Sequence, residues 1–543
     1  MSAQKHYDAI IIGAGVSGLY QLHRLRKAGF SVRLFEKADG VGGTWYWNRY
    51  PGCRFDSESY TYAYSFSDEL LEEWNWSEHF AGQPETLAYL NHVADKFSLR
   101  DDIQFNTRIR SAAYNEGNSN WAIESDNGEQ ASCQFLIMAT GILSAVQFPD
   151  LEGIADFKGQ YFHTARWPHE PNSFGGDKSV YAGKRVAVIG AGASAVQVIP
   201  HVAKDAQELV VFQRTANWAS PLFNAPITEA EQPALKAAYP EIFKACDKTS
   251  GGFVHQFDPR SIYDVSDEER NALFEKLYKE KGFSIWLSNF PEIMTDMKAN
   301  KLLSDFMADK IRQRVDDPAI ADKLVPSAHG FGQRRVPMET HYYEAYNQDN
   351  VQLVDLNETP IERITTTGVK TTTDEFEFDL IIYATGFDAG TGAISRIDVR
   401  GTKGESIKDK WAKELRTYMG LQVEGYPNMF IHIGPHAAFC NIPRCAQVSV
   451  DWVTDLIEHM RQENLASVEA TEAAEISWTE HAVEEANKTL LSKTNSWIMG
   501  DNVAGKPRAL LLYAGPLPRF RQRMKDCAAN DYEGFSFTHL TQD

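Results

Sequence analysis

Asp8-Ala9-Ile10-Ile11-Ile12-Gly13-Ala14-Gly15-Val16-Ser17-Gly18 decides the fold. The isoleucine run reads as a strand buried on both faces, as in a parallel sheet. Three glycines follow at the spacing of a dinucleotide fingerprint. The first permits a tight turn, the second lets backbone approach a pyrophosphate, and the third lets a helix pack closely on the strand. The pattern recurs where Arg185-Val186-Ala187-Val188-Ile189 leads into Gly190-Ala191-Gly192-Ala193-Ser194-Ala195. Ala195 is a small residue that this fingerprint tolerates in the third position. Two later strand-like runs also end alike, in Ala139-Thr140-Gly141 and in Ala384-Thr385-Gly386. The repetition predicts an α/β fold with two Rossmann-like dinucleotide-binding units.

The residue ending the second strand of each unit indicates which nucleotide fits. Glu36 lies 21 residues after Gly15. A carboxylate there accepts hydrogen bonds from ribose hydroxyls and repels a 2′-phosphate, which predicts FAD or NAD. Arg214 lies 22 residues after Gly192 and is followed by Thr215. A guanidinium pairs with a 2′-phosphate and the hydroxyl adds a hydrogen bond, which predicts NADP(H). Two dinucleotides in one enzyme point to electrons passed between them.

With 543 residues, of which 43% are hydrophobic, the chain has material for several cores. Its net charge of −20 argues against a nucleic-acid partner or an anionic membrane surface. Cysteines 53, 133, 246, 440, 445 and 527 form no disulfide framework. Together with a start that runs directly into a strand without a signal-peptide pattern, they predict a cytoplasmic protein with no integral membrane segment. The first unit is expected to span 1–149, with 388–543 returning to complete it. The second is expected to span 150–225 and 330–387, after a loop-rich stretch from Pro168 to Gly183. Between them, 226–329 reads as a helical insertion. Thr228 with Glu231 and Ser266 with Glu269 have capping-box spacing, and Asp317-Pro318 reads as an N-cap with proline behind it.

One string narrows the chemistry further. Phe157-x-Gly159-x-x-x-His163-Thr164-x-x-Trp167-Pro168 resembles the fingerprint of type I Baeyer–Villiger monooxygenases. Gly42-Gly43-Thr44-Trp45, Tyr50-Pro51-Gly52 and Asp56 resemble a second pattern of that family, and Ala384-Thr385-Gly386-Phe387-Asp388 resembles its linker to the FAD domain. The likeness runs from residue 8 to about 523. It implies that NADPH reduces FAD, that oxygen is captured as a peroxyflavin, and that a ketone becomes an ester or lactone through a Criegee-type intermediate. Arg335, within Gly332-Gln333-Arg334-Arg335-Val336-Pro337, is implied as the active-site arginine, with Asp56 as the acid that steers it. Arg334 replaces the family's usual lysine at the 2′-phosphate. Gly43, Thr44, Trp45, Tyr62 and Ile109 are implied to line the flavin, whereas Trp47 is expected in the core. His163 is expected to be architectural. Trp497 sits in Lys493–Gly500, which resembles the loop that folds over bound NADP. Gly434–Phe439 resembles a segment that shapes the substrate pocket, and Ile442 is a candidate flavin or substrate contact.

Three other readings fit parts of the pattern. Flavin monooxygenases that oxidise nitrogen or sulfur carry a related string, normally without the Trp-Pro ending. A disulfide reductase also pairs FAD with a nicotinamide, and Cys440 and Cys445 have its cysteine spacing. They lie far from the first nucleotide strand, where that chemistry needs them. A flavoprotein kept only as a redox-sensing module does not account for Arg335, Asp56 and the full fingerprint together.

Overall fold

The computed structural model describes residues 5–169, 179–438, 440–503 and 505–539. Part of the loop-rich stretch after Pro168, and Phe439, lie outside the described residues.

Lys5–Ile12 pairs in parallel with Val32–Phe35 on one side and Gln130–Met138 on the other. They belong to an eight-stranded sheet whose order is 398–400, 109–115, 120–125, 130–138, 5–12, 32–35 and 103–104, with Met429–Ile431 also paired to Gln130–Met138. Asp398–Arg400 and Met429–Ile431 thus join the first sheet from late in the chain. Helix Val16–Lys27 packs on helix Ile442–Gln462. Gln21 fixes that contact: its Nε2 donates to Thr454 Oγ1 at 2.9 Å, and its Oε1 lies 2.8 Å from His432 Nε2.

The second sheet has five parallel strands in the order 351–355, 208–213, 185–189, 380–383 and 160–163. Val186, Ala187 and Val188 are fully buried, as expected of a strand covered on both faces. Two connections join the sheets side by side. Gln147 N donates to Gly386 O at 3.0 Å and Asp388 N donates to Ala145 O at 2.8 Å.

Helices Gln232–Cys246, Asp267–Tyr278, Ser284–Leu287, Met297–Arg314 and Pro318–Leu324 fall in the stretch read as helical. Ser266 and Glu269 form a complete capping box, and Asp317 caps the helix that begins with Pro318. Thr228 differs from expectation. Its N and Oγ1 both donate to Glu231, but the helix starts later, at Gln232. Pro233 then falls in the first turn, where its missing N–H would have no intrahelical partner. Among the described residues no helix is long and apolar enough to cross a membrane. All six cysteines are free and buried.

Candidate active site

The carboxyl ends of parallel strands from both sheets open onto one cavity of about 2180 Å³. This is where open α/β sheets bind ligands. Ile12 to Gly15, Glu36 and Ala139 to Ala145 supply one wall; Ile189 to Ser194, Arg214, Thr215 and Ala384 to Phe387 supply the other.

The glycines show which contacts are internal. Gly13 and Gly190 have φ of +108° and +121°, and a Cβ on either would stand 2.5 Å from a carbonyl oxygen, that of Ala139 or Ala384. A Cβ on Gly18 would overlap Gly13 O at 1.9 Å. Protein packing explains these three. It does not explain the middle glycines. Gly192 would place a Cβ in open space, and Gly15 would meet only Gly43 Cα, at an ordinary 3.5 Å. Both have negative φ and both cap a helix without any side-chain hydrogen bond to its first amides. Ala193, Ser194 and Ala195 form the first turn behind Gly192. The two helix starts therefore present open backbone donors, with a partial positive charge, along paths cleared of side chains. This fits a dinucleotide pyrophosphate at each.

Glu36 is buried, and its carboxylate accepts from Ala14 N at 2.8 Å and Ala38 N at 2.9 Å. Each oxygen keeps a further acceptor site, and Glu36 lines the cavity. Thr44, Trp45, Tyr62 and Ile109 all line the same cavity, as does Gly43, whose Cβ would stand 2.7 Å from Gly15 Cα. Trp45 Nε1 donates to Tyr62 OH at 3.1 Å, and Tyr62 stacks on Phe55 at 4.3 Å. Trp47 is not a core residue. It is half-buried on the cavity wall, with Arg166 over its ring at 4.5 Å and Lys37 at 4.8 Å. Burial and then the Arg166 charge push the Lys37 ammonium down to about 8.

Asp56 and Arg335 meet across the middle of the cavity wall. Arg335 Nη2 lies 2.6 Å from Asp56 Oδ2, whose side chain is fully buried, while Arg335 is 28% exposed. Met338 N donates to the same oxygen at 3.2 Å, and Gln197 Nε2 donates to Oδ1 at 3.4 Å. Burial pushes the Asp56 carboxyl up, and Arg335 pulls it back. Gln197 escaped the sequence reading. It stands in helix Ala193–Asp205 and also accepts from Tyr50 OH at 2.8 Å, so it ties the second nucleotide unit to Asp56. The only available sign was its place one turn after Ala193.

Arg334 and Arg214 approach each other on the wall of the second unit. Burial and then the like charge of Arg214 push the Arg334 guanidinium down, yet a guanidinium stays charged at working pH. Arg334 Nε has no hydrogen-bond partner among the described residues. Two converging cations with Thr215 beside them suit a phosphate.

Trp497 lines the cavity together with Asn495, Ser496 and Asp501. Thr494 Oγ1 donates to Gln333 Oε1 at 2.9 Å, and Asn502 Nδ2 donates to Phe387 O at 2.6 Å, which tie this segment to the residue before Arg334 and to the inter-sheet connection. Ile442 lines the cavity as the first residue of its helix. The neighbouring segment departs from expectation: Ile433, Cys440 and Asn441 form the wall, while Gly434 to Ala438 lie behind it. His436 is buried there at a φ of +62°, beside Thr417. His163 also stays off the wall. It is fully buried, its Nδ1 accepts from Ala165 N at 3.1 Å, and burial pushes it down to about 4.

A family model described as flavin-binding monooxygenase-like matches residues 6–224. The 2-oxo-Δ(3)-4,5,5-trimethylcyclopentenylacetyl-CoA monooxygenase of Pseudomonas putida is 46% identical, covering 97% of this chain and 98% of its own. Acetone monooxygenase (methyl acetate-forming) of Gordonia sp. (strain TY-5) is 44% identical over 98% and 99%. A phenazine N-monooxygenase of Lysobacter antibioticus is 39% identical over 98% and 97%. The crystal structure of OTEMO with FAD and NADP superposes with a TM-score of 0.95 at 46% identity, over 98% of this chain and all of that one. Fold and cavity together define a monooxygenase that uses a flavin and a nicotinamide dinucleotide. The chain belongs to the Baeyer–Villiger monooxygenase family. It is an FAD-dependent enzyme that uses NADPH and molecular oxygen to convert ketones to esters or lactones.

Proposed function

We propose that Arg335, held by Asp56, is the catalytic residue of this reaction, and that the substrate is an apolar small-molecule ketone. The buried 2.6 Å ion pair on the wall where both nucleotide units meet carries this reading. Bound FAD supplies the redox chemistry, taking hydride from NADPH and delivering electrons to oxygen. The chain supplies the surroundings. Asp56 takes one guanidinium N–H of Arg335 and fixes the plane of the fork. The other donors are left for negative charge that develops on oxygen in the cavity, where a fixed cation is far more effective than in water. Phe253, Phe257, Phe283, Trp286 and Leu287 give the wall an apolar sector that keeps water out and accepts a hydrocarbon frame. Glu36 and Gly15 take the flavin dinucleotide; Gly192, Arg214, Thr215 and Arg334 take NADP(H). Trp497 covers the nicotinamide side. Ile442 contacts flavin or substrate. The units are 1–149 with 388–543 for FAD, and 150–225 with 330–387 for NADP, with 226–329 inserted. The free buried thiols suit the cytoplasm. A ketone panel with NADPH, with products identified by mass, tests the activity. N-oxide or sulfoxide without any ester would favour the heteroatom-oxidising alternative.

The phosphate cluster has a measurable consequence. NADPH will be preferred over NADH, and Arg214→Ala will lower kcat/KM for NADPH roughly tenfold to a hundredfold, the scale of a charge-assisted hydrogen bond. Its kcat/KM for NADH will barely move. Equal losses with both coenzymes would remove Arg214 from the 2′-phosphate.

Asp56 gives a pH signature. Because burial raises its carboxyl, protonation as pH falls releases the Arg335 fork earlier than an ordinary carboxylate of about 3.9 would. Ester formation will therefore fall on an acid limb displaced upward from that range. Asp56→Asn will be slower throughout and will lack that limb. An unchanged acid limb in the variant assigns it to another group.

A further inference from the structure

Cys440 and Cys445, whose spacing raised a redox reading, have no part in the chemistry above. Cys440 lines the cavity next to Asn441 and Ile442. Cys445 lies in the first turns of helix Ile442–Gln462, which Asn441 caps. The two cysteines thus hold the positions just before the cap and fourth in the helix, whose apolar side chains ordinarily clasp each other. Here both positions carry a thiol. Cys440 Sγ and Cys445 Sγ share one acceptor, the Asn441 carbonyl oxygen, at 3.6 and 3.4 Å. Each residue is 5% exposed, and neither is in a disulfide.

The cavity that Cys440 lines is a source of oxidant. On the function proposed above, electrons from NADPH that reach oxygen without a ketone leave as hydrogen peroxide. We propose that Cys440 and Cys445 are a reversible trap for hydrogen peroxide released inside the cavity. The Cys440 sulfur attacks one peroxide oxygen; the O–O bond breaks, and sulfenic acid and one water form. The Cys445 sulfur then attacks that sulfur. The S–S bond forms, the S–O bond breaks, and the departing hydroxide takes the Cys445 proton as a second water. Two thiols are oxidised and one peroxide is reduced to two waters. An external dithiol restores the pair.

Placement decides which peroxide is caught. Burial pushes the Cys440 thiol up, which protects it from dilute peroxide in solution, while the helix start and the Arg521 charge favour its thiolate. Peroxide set free beside it is concentrated before it escapes. Cys53 provides an internal contrast. It also lines the cavity, and burial pushes its thiol up to about 12, but among the described residues no second thiol shares a hydrogen-bond acceptor with it. A cysteine oxidised without a resolving partner proceeds to irreversible acids.

The test uses the FAD-loaded enzyme turning over NADPH in air without ketone, with thiols mapped by alkylation and peptide mass. The parent will show a Cys440–Cys445 disulfide, and dithiothreitol will restore both thiols and any lost ketone activity. Cys445→Ser will have parental ketone activity before exposure. After exposure, its Cys440 will carry sulfinic or sulfonic oxygen, and dithiothreitol will restore neither thiol nor activity. Flavin absorbance verifies that the variant is folded, and Cys445→Ala serves as a second replacement. Added hydrogen peroxide in a parallel arm examines the thiols independently of ketone oxidation. Two free thiols after NADPH turnover overturn the proposal. So does recovery of Cys445→Ser to the parental extent, or a disulfide that forms with added peroxide but never during NADPH turnover. The ketone panel reports separately on the function proposed above.

Discussion

Arg335→Ala will bind FAD and accept hydride from NADPH, yet lose ester formation by about 10²-fold or more. Removing one preorganised charge-stabilising donor typically has that effect. The separation of steps follows from the geometry. Flavin and coenzyme are held by helix starts at Gly15 and Gly192, and Arg335 contributes to neither glycine loop. Its own partner is Asp56, on the cavity wall between them. The diverted electrons will appear as hydrogen peroxide or remain on the flavin. Arg335→Lys will rescue poorly, because a compact ammonium cannot pair with Asp56 and still present a planar fork to the cavity. Stopped-flow reduction and product analysis on one preparation separate the outcomes. Lactone or ester at the parental rate in Arg335→Ala would reassign Arg335 to structure or coenzyme binding.

Gly15→Val will fold and arrive without its flavin. The backbone at residue 15 has a φ of −83°, which any residue adopts, and a Cβ there meets only Gly43 at 3.5 Å. The side chain instead fills the path to the open amides of helix Val16–Lys27. Losing two charge-assisted contacts of about 1.5–3 kcal/mol each weakens FAD by at least about 100-fold. Gly13→Val serves as the contrasting variant. It forces a side chain onto Ala139 O at a φ of +108°, so it will damage folding itself. Absorbance of purified protein gives flavin content, and thermal unfolding gives the fold. A fully yellow Gly15→Val protein would move the pyrophosphate elsewhere.

The features legible in the sequence are those whose parts lie close together in it. Each glycine fingerprint is contiguous, and Glu36 and Arg214 lie within one strand–helix–strand unit of their glycines, so nucleotide type could be read directly. The Asp56–Arg335 pair joins distant segments and was reached only through family resemblance. Nothing in either local stretch says that they meet. Trp47 was misplaced because Thr44–Trp47 is a single helical turn with three consecutive aromatics. Successive residues point about 100° apart, so Trp45 is buried against Phe55 and Tyr62 while Trp47 is half-buried, although both reach the cavity. Gln197 was missed because a helix face shows itself through apolar periodicity, and a lone polar residue turned inward leaves no such mark. Gly434 to Ala438 are expected at the pocket through family resemblance alone, which does not tell which residues of the segment face the cavity. The chain instead reaches the wall on either side of them, at Ile433 and Cys440.

The late return of the chain to its first sheet has a consequence for synthesis. Gln130–Met138 leaves the ribosome long before Met429–Ile431, its neighbour, and helix Val16–Lys27 long before helix Ile442–Gln462, its packing partner. At roughly 5–20 residues per second, that interval is on the order of tens of seconds. All five strands of the second sheet emerge within it. The nascent protein can therefore finish its middle while its beginning still shows an unpaired strand edge and an apolar helix face to the cell. The first sheet is begun before the second and completed after it, and its assembly depends on residues translated long after its first strands.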